Sequence, residues 1–264
     1  MRRTAGILFG LATHGLFAVT VYYLFWFLKG AAPAARSSGS LWVDVLLAAQ
    51  FAIPHSILLL PAVRQRLTRS IPSAFYGCFY CVVTCVSLLV MFAAWQPHST
   101  IIWQSQGATA TAITLAFLSS WGALLYSLHL TGLGYQTGWT PWWHWLRGQP
   151  LPARRFEPRG AYLWLRHPVY LSFLGLVWFT PVVTADRLVL MGVWTTYIFL
   201  GSCLKDRRLL FYLGASYRNY QAAVAGYPGM LFGPLARRAL PKDEPARNRP
   251  GHKARSDVPF RQAA

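Results

Sequence analysis

"AFYGCFYCVVTCVSLLVMFAAW", residues 74–95, runs from end to end without a charged side chain. A helix crossing a bilayer needs about 20 mostly apolar residues, and this stretch is long enough. The same reading extends outward to residues 6–28, 41–60 and 108–130. Two further apolar segments, 161–184 and 188–204, are interrupted or short. They are expected to form a shallow hairpin with Thr184-Ala185-Asp186-Arg187 as its turn. The fold class is therefore all-α: a polytopic membrane helical bundle of about six transmembrane helices, ending in a helical hairpin.

Composition agrees, since 55% of the 264 residues are hydrophobic and only 12% are charged. Arg2 and Arg3 precede the first segment as in a secretory signal, but the apolar part is too long and no convincing small-residue cleavage site follows. It reads as a retained first helix. Cys78, Cys81 and Cys85 lie inside one apolar segment, where small side chains serve packing, and they do not suggest a disulfide framework.

Charge sets the orientation, because Lys and Arg concentrate in cytoplasmic loops. Loop 61–73 holds Arg64, Arg66 and Arg69; loop 134–160 holds Arg147, Arg154, Arg155 and Arg159; loop 96–107 holds no charge. Six spans with both termini cytoplasmic fit this alternation, although loop 29–40, with Lys29 and Arg36, falls outside. The net charge of +18 is then a matter of topology and of attraction to lipid headgroups, not of nucleic-acid binding. The membrane domain is expected over 1–230. Residues 231–264, rich in Pro, Lys and Arg, are expected to be a disordered basic tail near anionic lipid.

Acidic residues in the first 230 positions are Asp44, Glu157, Asp186 and Asp206, too few for chemistry based on paired carboxylates. His14, His55 and His129 lie within apolar segments but lack a ligand spacing, so no metal site is expected. In "FAIPHSILLL", residues 51–60, Pro54 disturbs a helix just before His55 and Ser56. Either these polar groups face a functional site, or the helix is kinked and a neighbouring carbonyl satisfies the His.

"LWLRHPVYLSFL", residues 163–174, is richer. Pro168 suits a first helical turn, which would put Arg166 and His167 at the mouth of a span. A helix N-terminus, an Arg and a His favour a carboxylate or phosphate, while Tyr162, Trp164 and Tyr170 offer aromatic faces to a flat or cationic ligand. A lipid headgroup on Arg166 within an interfacial aromatic belt is the alternative.

"GAYLWLRHPVYLSFL", residues 160–174, a following hairpin and "LKDRRLLFYLGASYRNYQAAV", residues 204–224, resemble the integral-membrane methyltransferases related to isoprenylcysteine carboxyl methyltransferase. Within them the chain is most similar to the NnrU, nurim and methanethiol S-methyltransferase branch, which shares His55-Ser56 and Trp95-Gln96-Pro97. The resemblance covers about 45–228 and implies an S-adenosylmethionine site within about 134–228. Tyr162, His167, Pro168, Val169 and Tyr170 match cofactor-contacting positions, and Asp206 would join them. The superfamily usually carries a Glu pair where this chain reads Lys205-Asp206.

The implied activity is methyl transfer to a small thiol, with methanethiol as acceptor. Arg166 would favour the thiolate and His55 would accept the thiol proton. The alternatives are a lipid, amine or carboxylate acceptor, or a non-catalytic membrane protein of nurim type. Membrane lipid is the other expected partner.

Overall fold

The computed structural model describes residues 3–30, 39–153 and 156–239. Arg2, Arg36, Arg154, Arg155 and the expected tail from residue 240 lie outside the described residues.

The elements are α1 (Arg3–Lys29), α2 (Leu41–Leu58), α3 (Pro61–Leu67), α4 (Ser73–Ala94), β1 (Ile101–Gln104), α5 (Gly107–Thr131), α6 (Leu133–Gln136), α7 (Trp139–Arg147), a 3-10 turn at Gly160–Leu163, α8 (Pro168–Trp178), β2 (Val182–Thr184), α9 (Ala185–Leu213) and α10 (Ala215–Ala223). Among the described residues, α1, α2, α4, α5 and α9 are long and apolar enough to cross a membrane. Trp42, Leu46, Leu8, Leu115 and Leu125 stay exposed on their outer faces, as lipid-facing side chains do. The protein is a multi-pass integral membrane protein.

The chain divides into two compact units. Among the described residues, the first comprises 3–30, 39–150 and 169–201, the second 151–153, 156–168 and 202–239. In the first, α4 packs against α1, α2 and α7. Its core includes Leu28, Ala48, Met91, Leu176 and Leu190. Small residues permit the closest approaches. A Cβ on Gly10 of α1 would lie 2.0 Å from the Trp142 ring, whose Nε1 donates to the Gly6 carbonyl at 2.9 Å. Gly138, at φ +82°, enters α7 with its α-carbon against the backbone of Gly77 and Cys78, where a side chain would collide.

The C-terminal hairpin differs from expectation at both ends. Ala185, Asp186 and Arg187 are not its turn: they open α9, and β2 precedes them, paired antiparallel with β1. Asp186 places a carboxylate in the first turn of α9, where the helix dipole favours it. It also accepts hydrogen bonds from Trp95 Nε1 (3.0 Å), the His98 amide (3.1 Å) and Thr184 Oγ1 (2.6 Å). Asp44 accepts from the Gln96 amide at 3.0 Å, so two buried carboxylates clasp Trp95-Gln96. At its other end α9 continues to Leu213, well past 204. Hydropathy marks where a lipid-facing surface stops, whereas helical hydrogen bonding continues through Lys205–Arg208 until Gly214. The 11 residues of α8 span about 16 Å, roughly half of a bilayer's hydrocarbon thickness.

The second unit takes in the last turns of α9, α10 and the chain through residue 239. Leu235 and Ala236 are buried, the Leu235 carbonyl accepts from the Gly226 amide at 2.7 Å, and the Arg238 amide donates to the Gln221 carbonyl at 3.0 Å.

Candidate functional site

The 3-10 turn delivers the chain into Arg166 and His167, and α8 begins at Pro168, whose missing N–H costs nothing in a first turn. The Arg166 and His167 amides donate to the Ala225 and Gly226 carbonyls at 2.9 and 3.2 Å. The pair is thereby stitched to the segment after α10.

Their side chains converge on Asp206 of α9. Arg166 Nη2 lies 3.0 Å from Asp206 Oδ2, and His167 Nε2 lies 3.1 Å from Oδ1. Tyr217 of α10 donates its hydroxyl to the same Oδ1. Arg166 Nη1 donates to the Val224 carbonyl at 2.6 Å, with Gln221 and Ala236 carbonyls at 3.2 and 3.3 Å. Arg166, His167 and Asp206 are 1%, 0% and 3% exposed. A guanidinium is tolerated at such depth only when a carboxylate and several carbonyls take its donors.

The electropositive mouth expected from Arg166 and His167 is therefore absent in that form. Asp206 neutralises Arg166, and burial drives the His167 imidazole down from 6.5 to about 4, which outweighs the pull of Asp206 toward protonation. Burial and the neighbouring carboxylate push the Tyr217 phenol well above its usual range. Tyr217 and Gln221, both buried, complete this centre, yet only the spacing of Tyr217 and Tyr220 after Gly214 hints at it in the sequence.

Around it, Tyr220 donates to the Tyr162 carbonyl at 2.5 Å, and Phe156 rests edge-on against Tyr217 and Tyr220. Lys205 Nζ lies 5.7 Å from the Tyr162 ring centre, within cation–π range. A cavity of about 100 Å³ borders Asp206, Cys203, Gln221 and Arg238, well below the roughly 300 Å³ of the smallest common ligand pockets.

The first unit holds the remaining expected residues. Val169 packs against its core, and the Tyr170 ring lies 4.0 Å from where a Cβ on Gly201 would project. His55 sits beside Tyr80, whose hydroxyl is 2.8 Å from Nε2 and 3.0 Å from Nδ1, with Thr84 Oγ1 3.4 Å from Nδ1. Ser56 donates to the Tyr197 hydroxyl at 3.5 Å. The rings of Phe51, Tyr80 and Tyr197 stand 5.3, 5.2 and 6.2 Å from the imidazole. His14, by contrast, is bound at Nδ1 to the Gly10 carbonyl of its own helix at 2.7 Å.

The molecule is thus a polytopic helical membrane protein whose last long helix ends in a buried Arg-His-Asp-Tyr centre. No family model and no solved structure matches the chain. Among curated proteins it is 32% identical over 206 residues to methanethiol S-methyltransferase of Pseudomonas deceptionensis, covering 78% of this chain and 77% of that one. It is 29% identical over 228 residues to methanethiol S-methyltransferase 1 of Bradyrhizobium diazoefficiens, covering 83% and 80%. Nurim of Xenopus laevis is 27% identical over 167 residues, covering 60% and 58%. The chain belongs to the family that unites these methanethiol S-methyltransferases and nurims.

Proposed function

We propose that the protein transfers a methyl group from S-adenosylmethionine to methanethiol, giving dimethyl sulfide. The observation that carries this reading is the match of 78% of the chain, at 32% identity, to a relative named for that activity. A nurim-type protein without catalysis is the second reading, but the nurim relatives match at 26–27% identity over 60–73% of the chain.

The residues present fit such a methyl donor in kind. Tyr162 and Tyr170 are half-buried rings, able to face a purine or a sulfonium. When bound, the donor supplies an electrophilic methyl group on a positively charged sulfur. Tyr162, Val169 and Tyr170 are the residues that the sequence resemblance assigns to it. His167, Pro168 and Asp206 are buried, and their part is to hold the segment from 162 to 168 in place. Arg166 acts in the same way, through Asp206 and the carbonyls of 221–236, rather than on the thiol. Positive charge in loops 61–73 and 134–160 supports a cytoplasmic face for these segments and for both termini.

The test is calorimetric titration of the detergent-solubilised protein with S-adenosylmethionine, followed by headspace gas chromatography after adding methanethiol. Saturable binding and dimethyl sulfide are expected. Neither appearing, from protein that is monodisperse, would overturn the reading in favour of the nurim type.

A further inference from the structure

Polar side chains within membrane spans are costly, and where they persist they usually serve a site. In the first unit five of them, on three helices, form one linked group: Tyr80 and Thr84 from α4 and Tyr197 from α9 stand beside His55 of α2, and Ser56 of α2 donates to Tyr197. Helix α2 is disturbed there as well. Pro54 has no N–H, which leaves the Gln50 carbonyl without its helical donor, and Gln50 Oε1 is buried with no hydrogen-bond partner among the described residues. Phe51 closes the group on its apolar side, with Trp194 behind it at 5.6 Å.

We propose that the box of Phe51, His55, Tyr80 and Tyr197 is the acceptor site of the reaction, built for a small uncharged thiol, and that His55 takes the thiol's proton. The proposal rests on the methyltransferase reading and adds the residues that choose and activate the acceptor. Three features favour this ligand class. The rings of Phe51, Tyr80 and Tyr197 and the hydroxyls of Tyr80 and Thr84 stand beside the imidazole, a mixture that suits a small ligand with one weakly polar head. Tyr80 and Tyr197 bring two aromatic rings beside the imidazole, and aromatic rings make favourable contacts with sulfur. All of these residues lie within spans, reachable by a ligand that partitions into the bilayer.

In the transfer the S–H bond breaks, and its proton goes to a ring nitrogen of His55. The sulfur's electron pair forms the new bond to the methyl carbon, and the pair of the broken methyl–sulfonium bond stays on the donor's sulfur. Imidazole becomes imidazolium, which later releases its proton to water. Tyr80 is a positioning residue: its hydroxyl can donate to a ring nitrogen that lacks a proton and accept from one that carries it. Phe51 is a specificity residue, since its ring bounds the length of the alkyl group.

The experiment uses the full chain in detergent, measuring steady-state methylation of methanethiol, ethanethiol and 1-propanethiol together with S-adenosylmethionine affinity by calorimetry. His55→Gln should lower kcat by about 100-fold or more with donor affinity unchanged. Tyr80→Phe should lower kcat about tenfold, one hydrogen bond's worth, with little change in KM. Phe51→Leu should shift preference toward the longer thiols by roughly tenfold, the worth of a methylene in an apolar pocket. An active wild type whose three variants keep its kcat and its thiol preference overturns the proposal alone. Loss of donor affinity together with activity in His55→Gln and Tyr80→Phe assigns the cluster to packing and also overturns it. A wild type that methylates no thiol, or only an amine or carboxylate, overturns both this assignment and the reading beneath it.

Discussion

Two polar centres interrupt this apolar chain, and they solve the cost of burial in opposite ways. Around Asp206, a full positive charge on Arg166 is cancelled by a full negative one, and a phenol and backbone carbonyls take up donors and acceptors. Around His55 the groups are neutral, half-buried and arranged as imidazole, hydroxyls and rings. A closed ion pair fixes geometry, because breaking it strands a charge away from water. A group of imidazole and hydroxyls can exchange hydrogen-bond partners at a lower cost than separating an ion pair. The first centre is thus suited to holding the segment 162–168 in place, the second to exchanging its hydrogen-bond partners.

Substitutions at the charged centre test this contrast most severely. Asp206→Asn strands Arg166 and should cost about 3–5 kcal/mol in the second unit, seen as a lower temperature of aggregation and loss of methyl transfer. Full stability in that variant would break the contrast outright.

Acid should separate the two centres next. His167 is held neutral by burial down to about 4, against 6.5 ordinarily, so between those values the unfolded chain binds a proton that the folded unit refuses. Its contribution is complete above 6.5 and falls as the pH drops toward 4, by up to roughly 3 kcal/mol. Melting curves over this range should show a slope for the wild type that is shallower in His167→Gln. Equal slopes would mean that the imidazole is protonated in the fold.

Tyr217→Phe removes one hydrogen bond to a carboxylate while keeping the ring against Phe156, and should cost about 1.5–3 kcal/mol of thermal stability. The smallest effect belongs to Lys205, which stands over Tyr162 where the superfamily usually has an acid. S-adenosylmethionine is a net cation, so Lys205→Glu should strengthen its binding by about 1 kcal/mol, or roughly fivefold, in calorimetry. An unchanged or weaker affinity would place the cofactor's carboxylate, not its ammonium, near this position.

Apolar run length and charge asymmetry by themselves determined that this chain is a bundle of membrane helices, because a bilayer demands about 20 apolar residues per crossing. Motif order in 160–174 and 204–224 was enough to bring Tyr162, His167, Pro168 and Asp206 under suspicion. How those residues are paired was decided by tertiary structure. In the sequence Arg166 reads as an open cation, since its partner Asp206 is forty positions away and most of its carbonyl partners lie further still, up to Ala236. Nothing local reports that a charge will be cancelled. The end of α9, the role of Asp186 as a clasp rather than a turn, and the packing of Leu235 and Ala236 were hidden for the same reason. Hydropathy records how each residue meets lipid or water, while these features come from hydrogen bonds between segments that only the folded chain brings together.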